Sequence, residues 1–64
     1  MLVDAILELL KDGKWHSVDT TVKKFSQQEN LIEYILNFME DYGFIEYDKT
    51  RNMIMMDIKI QQLE

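Results

Sequence analysis

The chain holds no cysteine, a single histidine and only two glycines, and its seven Lys and Arg are outnumbered by twelve Asp and Glu. Each shortage excludes something. Without cysteine there is no disulfide framework and no thiolate metal site. His16 has no second His or Cys to complete a zinc site, so no metal and no other cofactor is expected. Gly13 and Gly43 each follow a helix-like segment, which leaves no glycine for a phosphate-cradling loop. Apolar runs are only a few residues long, so nothing here spans a bilayer. Asp4 and Glu8 interrupt the first apolar segment, which speaks against a signal peptide. A cytoplasmic location is the expectation, and Met1 points to an independent gene product. The net charge of −5 is the wrong sign for a phosphate backbone, whose affinity comes largely from Lys and Arg.

What is present is one small domain of 64 residues, 47% apolar and 30% charged. A chain of this size buries about 60% of its unfolded surface. Its core contributes about 3–5 kcal/mol of net stability.

In "MLVDAILELLKDGK", Leu2, Ile6, Leu9 and Leu10 share one stripe, widened by Val3 and Leu7, and Gly13 stands past its end; a helix over 2–12 is predicted. Lys11 and Lys14 suit its negative end. "KWHS" reads as a short strand or extended link, with Trp15 expected to plug the core. Ser17 is an N-cap candidate for a helix over 18–25, with Asp19 in its first turn and Val18, Val22 and Phe25 on one side. Ser26 and Glu29 fit a capping box for a third helix. On that helix Leu31, Ile32, Ile35, Leu36, Phe38, Met39 and Tyr42 fill one broad sector. Glu29, Asn30, Glu33, Tyr34, Asn37, Glu40 and Asp41 fill the opposite one, and Gly43 ends the helix. "FIEYD" and "NMIMMDIKI" read as two strands joined by "KTR". On the second, Ile54, Met56, Ile58 and Ile60 alternate with Met53, Met55, Asp57, Lys59 and Gln61. This strand is expected to overhang its partner.

The order of helix, short strand, helix, helix and hairpin resembles the winged-helix family in its small prokaryotic, archaeal-type form. The resemblance covers residues 2 to 60. It rests on "ILELLKDGKWHSVDTTVKKF", a turn at "SQQ", and "LIEYILNFMEDYGFIEYD" running into the hairpin. It implies an α+β, mainly helical fold: three helices, a short strand after the first and a C-terminal wing. It also implies DNA binding and transcription regulation through the third helix. Two features depart from the family pattern. Ser26 and Gln27 stand where the turn often carries glycine and an aliphatic residue. The third helix carries no Lys, Arg or His.

That second departure decides the functional reading. Asn30 and Asn37 offer adenine-type contacts, each worth about 1–3 kcal/mol when bidentate. Around them stand Glu29, Glu33, Glu40 and Asp41, and like charges juxtaposed at an interface cost several kcal/mol. Three readings of the face stand: a solvated surface, a protein-docking face and a base reader. The expected function is a non-catalytic binding module that docks to a protein with a basic surface, or to itself. Its surface is Asn30, Glu33, Tyr34, Asn37, Glu40 and Asp41, with Tyr34 as anchor. The alternative is a dimeric DNA-binding regulator in which Lys23, Lys24, Lys49 and Arg51 hold phosphates while Asn30 and Asn37 read bases. Glu40 and Asp41 are adjacent, so they point apart on a helix and form no acid–base pair. Ser17 and Ser26 lack an arranged base. Met53 and Met55 on the polar face of the last strand suit an adaptable contact surface. A homodimer through the wing or the first helix would suit so small a domain.

Overall fold

The computed structural model describes residues 2–25 and 29–61, with the side chains of all of these but Glu29 and Gln61. Within them the chain is α+β and mainly helical. It runs α1 (Leu2–Leu10), β1 (His16–Ser17), α2 (Val18–Phe25), α3 (Glu29–Asp41), β2 (Ile45–Asp48), β3 (Met53–Met56) and α4 (Ile58–Gln61).

Local chemistry sets most of these boundaries. α1 stops two residues short of the predicted 2–12 span. There Gly13 takes φ 76° and its N–H donates to the Leu10 carbonyl at 3.1 Å. Asp12 Oδ1 accepts from the Lys14 N–H at 2.9 Å, which holds the turn. α2 has the predicted bounds. Ser17 Oγ accepts from the Thr20 N–H at 3.4 Å, as an N-cap does. Thr21 is fully buried on this helix, and its hydroxyl donates to the Ser17 carbonyl at 3.0 Å. The hydroxyl is thereby satisfied inside an apolar core. The expected cap between Ser26 and Glu29 lies outside the described side chains.

α3 closes in a Schellman turn. The Gly43 N–H donates to the Glu40 carbonyl at 3.0 Å and the Phe44 N–H to the Met39 carbonyl at 2.9 Å. Gly43 has φ 78°, and no atom lies within 4 Å of where a Cβ would stand. Gly43→Ala therefore meets backbone strain and no clash. We expect it to lower stability by about 1–2 kcal/mol, read as a shift of the urea midpoint at unchanged slope.

The sheet is antiparallel in the order β1–β3–β2. β3 is central, with Ile54 opposite both His16 and Tyr47. Ile45, Ile54 and Met56 turn into the core, while Met53 and Met55 take the other face and are half-buried. The outer edge of β2 has no strand beside it among the described residues.

The predicted long last strand is corrected. β2 and β3 are equal in length and pair in full register, from Ile45 with Met56 to Asp48 with Met53, so nothing overhangs. After Met56 the chain turns. The Asp57 N–H donates to the Phe44 carbonyl at 3.0 Å, closing the hairpin. Asp57 Oδ1 then accepts the Lys59 N–H at 2.8 Å and starts a single helical turn. Four helices are thus present among the described residues, where three were expected. Ile58 is exposed, and Ile60 packs half-buried against the core.

That core is Ile6, Leu10, Val18, Ile32, Leu36, Met39, Ile45, Ile54 and Met56. Trp15 is not in it, contrary to expectation. It remains 37% exposed, and the Arg51 guanidinium lies over its ring at 5.1 Å from the centroid. The cation covers the indole face, so the ring need not enter the core.

Candidate functional site

α3 is the longest helix described, and only one side of it is covered. Ile32, Leu36 and Met39 are fully buried, and Ile35 packs against them. The broad apolar sector read from the sequence is wider than the surface the fold covers. Leu31 is 45% exposed, Phe38 43% and Tyr42 67%. Tyr34, which the sequence placed on the polar side, is 73% exposed and borders them. At 3.6 residues per turn, Leu31, Phe38 and Tyr42 stand within about 20° of one line, with Tyr34 at its rim. They form a ridge along the helix. The Phe38 and Tyr42 rings meet at 4.5 Å between centroids, and Tyr42 stacks on Phe44 at 6.5 Å.

The six residues expected to bind a partner divide between two flanks. Asn30, Tyr34, Asn37 and Asp41 are exposed and lie outward. Glu33 and Glu40 are half-buried and lie about half a turn from the ridge. Glu40 Oε1 is 3.7 Å from Lys49 Nζ, so the hairpin brings a cation to that flank. The acidic face read from sequence is therefore partly neutralised, and an uncovered ridge runs beside it. Spacing reveals the width of an apolar sector but not how much of it a small chain can cover.

The cations assigned to the DNA reading are also separated by the fold. Besides its contact with Glu40, Lys49 lies over the Tyr47 ring at 5.6 Å. Arg51 Nε donates to Asp48 Oδ2 at 2.6 Å while its guanidinium covers Trp15. Both hairpin cations are thus turned onto the protein. Lys23 and Lys24, on α2, are exposed and make no ion pair among the described residues. Beside the hairpin a shallow groove is lined by Glu40, Glu46, Asp48 and Asp57 with Trp15 and Tyr47. It carries further negative charge and no nucleophile beside a base. Among the described residues no three His, Asp or Glu side chains group as a metal site would. No described helix is long and apolar enough to cross a membrane.

Among the described residues, two carboxylates are held below their usual range. The hydrogen bond from Arg51 holds Asp48 below the usual carboxylate range, aided by the Arg51 N–H at 3.1 Å. The hydrogen bond with His16, 3.0 Å from Nε2, does the same for Asp12. A carboxylate with a depressed folded pKa adds stability that is fully present above its unfolded value of about 3.9. That stability is lost as pH falls through the folded value. We expect the acid limb of a stability–pH curve to flatten in Asp48→Asn, with the plateau near neutrality lowered toward the acid-side value. Urea midpoints across the acidic range check it.

Comparison with family models, with curated proteins and with solved structures finds no match for this chain.

Proposed function

We propose that this chain is a non-catalytic winged-helix module that works by docking to protein through the outer side of α3. The fold part of the reading is supported by the element order, in which a helix, a short strand, two helices and a hairpin follow one another as the resemblance implies. The observation that carries docking is the ridge of Leu31, Tyr34, Phe38 and Tyr42. Contiguous apolar surface bearing two tyrosines and a phenylalanine is what interfaces are built from. In solvent it is only a liability.

The DNA-binding regulator is the weaker reading. Seating α3 in a major groove would press Asp41 and Glu33 toward phosphates and would set the ridge against a polar groove wall. Lys49 and Arg51 would first have to leave Glu40 and Asp48. A mobility-shift titration on mixed-sequence duplex at about 50 mM salt separates the two. The expected result is no shift. A shift that weakens steeply with added salt, and that Lys49→Ala with Arg51→Ala abolishes, would replace docking by DNA binding.

A further inference from the structure

The ridge on α3 has the composition and symmetry to receive a second copy of itself. We infer that two copies of this chain pair through α3, antiparallel and about a two-fold axis that crosses the ridge midway between Leu31 and Tyr42. The inference rests on the docking reading above and names its occupant.

Three observations lead there. The first is area. Counting about 200 Å² for a fully exposed large side chain, the exposed parts of Leu31, Tyr34, Phe38 and Tyr42 amount to roughly 450 Å². Two copies, with the polar residues that edge the ridge, exceed the roughly 1,000 Å² a specific interface needs. The second is charge. Glu33 and Glu40 lie on the far flank, and Glu40 already faces Lys49. The ridge itself therefore calls for an apolar partner and not a cationic one.

The third is the placement of the polar edge. Asn30 and Asp41 lie on the same side of the ridge, near its two ends. An antiparallel pair sets Leu31 against Tyr42 of the second copy and Tyr34 near Phe38. The same operation sets Asn30 against Asp41 of the second copy, twice. The amide donates to the carboxylate at both places, so the edge is satisfied as the ridge is buried. A parallel pair would put the two copies of that polar edge on opposite sides of the ridge and leave each Asn30 amide without that acceptor.

The test is the mass of the full chain by light scattering or sedimentation across the micromolar range. Wild type is expected at twice the 7.7 kDa of one chain. Phe38→Glu is expected at the mass of one chain with an unchanged far-ultraviolet spectrum, and Tyr42→Glu, at a more exposed site, gives the same readout. Orientation is tested with two single-cysteine variants, Asn30→Cys and Asp41→Cys, in a chain with no other cysteine. Oxidised together, they are expected to yield mixed disulfide dimers in preference to same-variant dimers. A single-chain mass throughout, a dimer indifferent to both glutamate variants, or a preference for same-variant disulfides would overturn the pairing. A monomer that leaves duplex DNA unshifted removes the second copy but keeps the docking surface. A monomer that shifts duplex DNA removes both.

Discussion

Leu36→Ala is expected to cost about 3 kcal/mol, within the 2–5 kcal/mol range for truncating a fully enclosed leucine. Leu36 has no exposed surface and sits in the middle of α3 within the core cluster. It shares that cluster with Ile6 and Leu10 of α1 and Ile32 and Met39 of α3. Alanine favours the helix slightly, by a few tenths of a kcal/mol, which does not offset the cavity. A domain of this size has only about 3–5 kcal/mol in hand. The variant should therefore sit near the edge of its unfolding transition in plain buffer. Denaturant melts would show a midpoint close to zero. A loss under about 1 kcal/mol would mean that the core collapses around the gap and is more plastic than its burial implies.

Ile54→Ala is expected to be nearly as damaging, and differently distributed. Ile54 is the central residue of the sheet, opposite His16 on one side and Tyr47 on the other. Shortening it removes core volume, at about 2–4 kcal/mol. It also removes a β-branched residue from the strand that holds both neighbours. β1 has two residues and, among the described residues, pairs with β3 alone. It should detach first. Amide exchange at Val18, whose N–H donates to the Asn52 carbonyl at the end of this pairing, should quicken more than exchange in the middle of α3. Uniform acceleration everywhere would mean that the sheet and the helices open only together.

Several of these features are legible in the chain itself. The i, i+4, i+7 stripe of α2, the Ser17 cap and the Gly43 stop depend on neighbours within one or two turns. Propensity and capping are local, so spacing reveals them. What the sequence hides depends on residues far along the chain or on elements too short to show a period. Ile58 and Ile60 continue the alternation of Ile54 and Met56, and four residues are too few for a 3.6-residue repeat to contradict it. The deciding feature is the carboxylate of Asp57, which caps a helical turn instead of extending a strand. Trp15 departs from its expected place in the core for the opposite reason. Its partner is Arg51, thirty-six positions later, and nothing near the tryptophan announces it. Thr21 reads as a weak helix former on the sequence and proves to be core, because its hydroxyl returns to the backbone one turn earlier.

The candidate surface follows the same division. That α3 has acids on one side and apolar residues on the other is visible from Asn30 to Tyr42. That Glu40 is met by Lys49, and that Leu31, Phe38 and Tyr42 are left uncovered, depends on where the hairpin and the other helices fall.

The outer edge of β2 has one more effect. An outer strand edge is a template on which other chains can add as strands and grow into fibrils. Here the edge is four residues long, has no strand beside it among the described residues, and carries Glu46 and Asp48. Asp48 is already matched by Arg51, so repulsion between incoming copies of Glu46 is what guards the edge. Without the Glu46 charge the same chain is open to stacking strand upon strand.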